Sequence, residues 1–263
     1  MHRDAVDDPL LDERRGPIRL LTLNRPAQRN ALSPDLLGRL RAALQDADRD
    51  QTSRVVCITG AGDRAFCAGA DLSSVAAGSA LAAHEARRAY SGLLLDLSRL
   101  GKPVVACING AAVAGGLGIV ASCDFALAAE EAHFALPEVD VGLFPYIALA
   151  PLVRMLGRRR ALELAMTGRR VDAQEALRIG LVNAVAPRSQ LWEQAEALCR
   201  TLASKSPAVL RLGRKAFYAM QDVSYEAQIE AMALHLDLNA GLEDAAEGIA
   251  AFLERRKPEW KGR

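Results

Sequence analysis

Short β-branched or leucine-rich runs alternate with helical segments through the first half of the chain, and a chain so patterned is restricted to the α/β class. The clearest strands are PIRLLTL (17–23), RVVCITG (54–60) and PVVACING (103–110). Between the first two, Ser33, Pro34 and Asp35 read as an N-cap, a first-turn proline and an acid at the positive end of an amphipathic helix reaching about Asp48. A second helix is predicted over about 81–100, after an alanine-rich stretch at 75–83 that reads as a loop. From Pro145 onward the pattern becomes nearly continuous helix: about 147–156, 158–167, 172–179, 189–204, 207–220 and 224–253, with a break near Gly241. No Pro/Gly/Ser-rich linker separates the halves, so the helical part is expected to pack on the sheet or on a neighbouring subunit. Residues 1–200 are assigned to the core and 201–263 to a C-terminal helical region.

Three segments can carry chemistry. AFCAGADL (65–72) follows a strand across a turn, and its small residues let a backbone pass close to a ligand with its N–H groups aimed outward; a purely structural turn is the competing reading. NGAAVAGGLGIVASCD (109–124) leaves a strand and enters a buried helix, whose start at Gly115 and Gly116 presents unpaired N–H groups to developing negative charge. Gly116, Gly118 and Ala121 also satisfy a loose dinucleotide fingerprint, but the glycines begin several residues after the strand and no mononucleotide-type βαβ unit opens the chain, which argues against NAD. HFALPEVDVGLFP (133–145) sets Glu138 between apolar stretches, where a carboxylate is either a proton carrier with a raised pKa or a salt-bridged structural acid.

Composition narrows the field further. Thirty-three basic residues against thirty-two acidic ones leave a formal net charge of +1, so nucleic acid and anionic membrane are not expected partners. Five cysteines, an odd number without C-x-x-C spacing, read as reduced core residues, and four scattered histidines give no metal site. The stretch MHRDAVDDPLLDERRG is charged, without an apolar core, and no run approaches the roughly 18 apolar residues of a membrane span, so a cytoplasmic location is expected.

Taken together, the segments resemble the crotonase superfamily of enoyl-CoA hydratases and isomerases. The likeness runs from LTLNRPAQRNALS (21–33) through AFCAGADL, NGAAVAGGLGIVASCD and MTGRRVDAQEALRIGLVNAVAP (166–187), which resembles a connecting helix and strand, to IAAFLERRKPEW (249–260). It implies a crotonase-like spiral of ββα units with a helical C-terminal region that forms trimers, often paired into hexamers. It also implies an enzyme acting on acyl-CoA, with coenzyme A entering only as part of the substrate and no separate cofactor. The backbone N–H groups of Ala70 and Gly115 would form an oxyanion hole, with Glu138 as acid and base. Arg29, Asn30 and Ala31 would meet CoA at the loop that admits it. Ala68, Asp71 and Leu72 would surround its adenine, and Phe252 and Arg255 would contact it from the same or an adjacent subunit. For Arg255 a solvated helix face is the competing reading.

Two departures bear on the reaction. Hydratases of the superfamily use a pair of glutamates; one matches Glu138, but the other falls at position 118, where this chain has Gly118. A single carboxylate suffices to move a proton between C2 and C4 of an enolate, whereas addition of water divides its acid and base duties between two groups. Decarboxylation, thioester hydrolysis and acyl-CoA binding without turnover therefore stay open, and a Gly118→Glu replacement is expected to add hydration if the pocket is otherwise hydratase-like. The second departure follows Pro145, where Tyr146, Ile147, Ala148 and Leu149 replace a glycine-rich turn and are expected to narrow the acyl pocket or reshape it. Asp140, Glu130 and Glu131 are weaker acid candidates than Glu138.

Overall fold

Ile18, Leu20, Val55, Cys57, Val105 and Cys107 alternate along their strands with Leu21, Leu23, Val56, Ile58, Val104 and Ala106, and both sets are buried. Runs apolar on both faces belong in the middle of a parallel sheet covered on both sides. The computed structural model, which describes residues 8–71 and 79–263, has that arrangement. A six-stranded sheet is ordered β1 (Leu10–Arg15), β2 (Ile18–Leu23), β3 (Val55–Gly60), β5 (Val104–Ile108), β7 (Phe125–Ala129) and β10 (Ala184–Ala186). All its pairings are parallel except β1 with β2. One face packs on helix α6 (Arg188–Ala203) through Leu191, Ala195 and Cys199. The other packs on α1 (Pro34–Arg49), α2 (Ala80–Arg99) and α3 (Gly115–Ser122).

Each of β3, β5 and β7 is followed at once by a short strand that leaves the large sheet. These strands, β4 (Ala65–Cys67), β6 (Ala111–Val113) and β8 (His133–Ala135), form a second sheet in the order β4-β6-β8 with β9 (Val171–Asp172) antiparallel at its edge. The repeating unit is thus strand, strand, helix, and the likeness to the crotonase spiral is carried by this topology. The predicted strands and the first helix lie where the sequence puts them; Ser33 Oγ accepts from Leu36 N at 3.2 Å and so caps α1.

The helical second half needs one correction. It is interrupted by β9 and by β10, which returns to the edge of the large sheet beside β7. β10 is the strand that the resemblance implies at the end of 166–187; at three residues it is too short to register as periodicity. Otherwise the helices fall as expected: α4 (Tyr146–Thr167) kinks at Gly157, followed by α5 (Ala173–Arg178), α6, α7 (Pro207–Ala219), α8 (Tyr225–Ala240) and α9 (Glu243–Leu253). No helix among the described residues is long and apolar enough to cross a membrane.

Arg214 fastens α7 to the core. Its guanidinium donates to Asp124 at 2.7 Å, to the carbonyls of Leu97 at 2.6 Å and Ser98 at 3.2 Å, and to that of Leu100, while Tyr218 donates to the other Asp124 oxygen at 2.8 Å. These carbonyls belong to the last turn of α2, where a cation is favoured. Replacing Arg214 with methionine strands Asp124 without its ion partner, and loss of one member of a buried pair typically costs about 3–5 kcal/mol. The expected outcome is a correspondingly lower urea midpoint, measured by circular dichroism.

Candidate active site

Parallel strands all point their C-terminal ends the same way, and the chain leaving β4, β6 and β8 therefore delivers three segments to one edge of the small sheet. Ala70 lies three residues past β4, Gly115 two past β6 and Glu138 three past β8. The structure brings these three sequence-predicted residues to the same edge.

The first two segments are in contact. Gly69 has φ +86, and a Cβ placed on it would stand 2.6 Å from Ala114 Cβ and 3.0 Å from Gly115 N. A Cβ on Gly116 would come within 2.2 Å of the Cys67 carbonyl oxygen. Only glycine at these positions lets the two backbones lie side by side. Leu32 forms a parallel bridge with Ala70, donating to Gly69 O at 2.8 Å and accepting from Asp71 N at 3.3 Å, which turns the Ala70 N–H to the opposite side. Ala114 adopts φ 52 and ψ −123, a conformation glycine prefers, and its carbonyl accepts from Leu117 and Gly118. Strained backbone of this kind concentrates where function demands it. Among the described residues, neither Ala70 N–H nor Gly115 N–H has an acceptor.

Glu138 follows Pro137 in a turn of 3₁₀ helix. Its Oε2 is buried and has no hydrogen-bond partner among the described residues, and burial pushes the carboxyl above the ordinary glutamate range. The competing reading as a salt-bridged structural acid finds no ion pair to support it among these residues. Cys67, beneath the same loops, is pushed up to about 12 by burial and stays a thiol.

Position 118 is occupied by a neighbour. A Cβ on Gly118 would lie 2.0 Å from the Tyr90 hydroxyl and 3.1 Å from Ala148 Cα. Of the residues expected to narrow or reshape this region, Ala148 approaches position 118, whereas Tyr146 is 77% exposed and packs on Phe144 at a tilt of 56° with ring centroids 5.1 Å apart; Tyr90 reaches in from α2. Nothing in the sequence marks Tyr90, since a tyrosine on an amphipathic helix reads as packing.

The other predicted positions are distributed as follows. Arg29 is exposed with φ 53, and Ala31 is buried. The Ala68 amide donates to Arg29 O at 3.1 Å, leaving carbonyls rather than the Ala68 and Asp71 amides to meet a ligand there. Asn30, proposed for the CoA loop, is a buried clamp that accepts from Arg25 N and donates to Ala61 O and Ala65 O at 2.8–3.0 Å. Arg25 joins Ala31 O at 2.6 Å to the Asp71 carboxylate at 3.0 Å, a tie that the motif text did not single out. Phe252 and Arg255 sit exposed at the end of α9. Leu72 lies outside the described residues. Glu131 pairs with Arg188 at 3.5 Å, and Asp140 is exposed. A cavity of about 1040 Å³ between α2, α4 and α7 is lined by none of Ala70, Gly115 or Glu138.

Residues 13–263 match the profile of the Enoyl-CoA hydratase/isomerase family. The chain is 36% identical to the 2,3-dehydroadipyl-CoA hydratase of Escherichia coli, covering 97% of this chain and 99% of that protein. It is likewise 36% identical to the carnitinyl-CoA dehydratase of Salmonella typhi, covering 95% and 97%. The crystal structure of an enoyl-CoA hydratase from Bacillus anthracis superposes with a TM-score of 0.93 at 34% identity, covering 97% of this chain and all of the other.

Gly69→Ala tests the contact between the two loops. Left-handed strain and overpacking together are expected to cost about 2–4 kcal/mol, and displacement of the Gly115 amide to slow turnover at least a hundredfold. Urea unfolding and steady-state kinetics on one preparation check both.

Proposed function

The chain belongs to the enoyl-CoA hydratase/isomerase family, and from that premise we propose that it moves a proton within an acyl-CoA enolate, with Glu138 as both base and acid. The thioester oxygen accepts from Ala70 N–H and Gly115 N–H. Glu138 removes a proton from C2 of a 3-enoyl thioester, the two amides hold the dienolate oxygen, and the resulting carboxylic acid returns the proton to C4, leaving a 2-enoyl thioester. One group serves as base and then as acid, so no water and no second carboxylate is consumed. The observation that carries the reading is a buried Glu138 Oε2 without a partner among the described residues, at the sheet edge that also presents two amides unpaired among them. Burial raises the Glu138 pKa above the ordinary glutamate range, toward working pH.

The CoA moiety is assigned to Arg29, Ala31, Ala68, Asp71 and Leu72, with Phe252 and Arg255 from this or a neighbouring subunit. Trimers or hexamers accord with α8, none of whose residues is buried in the single chain and whose Leu234, Leu236 and Leu238 are each more than 60% exposed. A cytoplasmic location belongs to the same proposal. Hydration is a second reading, favoured by the names of the relatives: a hydratase and a dehydratase share 36% of the sequence.

Mass spectrometry of products over a panel of 2-enoyl, 3-enoyl, 3-oxo and malonyl thioesters separates these reactions, and binding without turnover would mark a silent acyl-CoA protein. Glu138→Gln is expected to lower isomerisation by about a hundred- to ten-thousandfold; retention of activity would remove Glu138 from the mechanism. The base must be ionised to start the cycle, so kcat/KM should fall as pH drops through the Glu138 pKa. Because that pKa is raised, the acid limb should lie above the ordinary glutamate range and vanish from the residual rate of Glu138→Gln.

A further inference from the structure

The reading above leaves Tyr90 without a task, although its ring touches the oxyanion loop. A Cβ on Gly115 would meet Tyr90 Cζ at 3.3 Å and Cε2 at 3.4 Å, so the ring lies flush against this residue. The Tyr90 hydroxyl donates to Gly115 O at 2.9 Å and occupies the space into which any side chain at position 118 must grow, 2.0 Å from its Cβ. Ala148, with Cα and Cβ each 3.1 Å from that same point, closes the opposite side. Burial pushes the phenol well above its ordinary value, and the neighbouring Cys67 and Glu138 add to the rise, so it remains a hydrogen-bond donor.

We infer that Tyr90 determines the reaction class of this enzyme: its phenol fills the room that a second carboxylate and its water would need, and its hydrogen bond fixes Gly115, whose amide receives the thioester oxygen. The inference rests on the enolate reading and extends it. Tyr90 is a positioning and specificity residue, since its proton is already committed to Gly115 O and the proton passed to substrate is that of Glu138. On this inference Gly118→Glu by itself adds no hydration, because the new side chain overlaps the phenol.

The test compares wild type, Glu138→Gln, Tyr90→Phe, Gly118→Glu and the double variant Tyr90→Ala/Gly118→Glu, each checked for fold by circular dichroism and for crotonyl-CoA binding by calorimetry. Hydration of crotonyl-CoA and isomerisation of 3-hexenoyl-CoA are read separately. Gly118→Glu alone should add no hydration, whereas the double variant should hydrate at least tenfold faster than wild type or Gly118→Glu. Tyr90→Phe, which keeps the ring and loses one ordinary hydrogen bond, should lower the isomerisation kcat by roughly tenfold with KM little changed. Hydration gained equally by Gly118→Glu alone, or a folded and ligand-binding double variant without it, overturns the specificity role. An unchanged kcat in Tyr90→Phe overturns the positioning role, and this comparison decides if the double variant does not fold. Isomerisation indifferent to Glu138→Gln would instead defeat the enolate reading, so the two failures are distinguishable.

Discussion

The contact between the backbones at 67–70 and 114–116 is the constraint on which the site depends. Two peptide segments can lie this close only where side chains are absent, and at Gly69 and Gly116 an added Cβ would fall 2.6 Å or less from atoms of the opposing segment. The same closeness aligns two amides that neither helix nor strand pairing consumes: Ala70 stands one residue from each bond that ties its loop to Leu32, and Gly115 opens a helix whose capping residue offers no side-chain acceptor. Gly115 is half-buried and Ala70 exposed, so both unpaired N–H groups stand where a ligand can reach them.

Parallel pairing supplies the third group. Because β4, β6 and β8 run in the same direction, their exits coincide, and Glu138 arrives at the edge already served by the two amides. The carboxylate is placed in apolar surroundings that favour its neutral form. The loop 24–31 closes around this edge through buried Asn30 and through Arg25, whose two nitrogens join Ala31 O and Asp71. Ties of this sort hold a loop in one conformation while leaving the Arg29 side chain exposed.

The C-terminal helices are held at fewer points. Arg214 fixes α7 to the end of α2, and Asp244 gathers the last residues, accepting from Ser206 Oγ at 2.5 Å, Lys261 N at 2.7 Å and Gly262 N at 3.0 Å. Beyond these anchors, α8 presents leucines to solvent in the single chain. A helical region docked through ionic contacts and bearing an unburied apolar surface is suited to meeting another subunit.

By itself the sequence determined the class of fold and the boundaries of most long elements, and it singled out Ala70, Gly115 and Glu138, which the parallel small sheet carries to one edge. Runs such as RVVCITG are apolar throughout because both faces of a central parallel strand are covered, and Ser33-Pro34 marks a helix start by hydrogen-bonding chemistry that acts over three residues. Strands β4, β6, β8 and β10 left no periodic trace, since three residues are too few for alternation to show, and β1 was obscured by its charged outer residues. Only the tertiary structure decided what stands at position 118. Glycine there signals a missing side chain, but the phenol that takes its place comes from a helix twenty-eight residues earlier and is recognisable only by its distance from that Cβ. Local chemistry is written along the chain; which distant group fills a vacated volume is settled by packing alone.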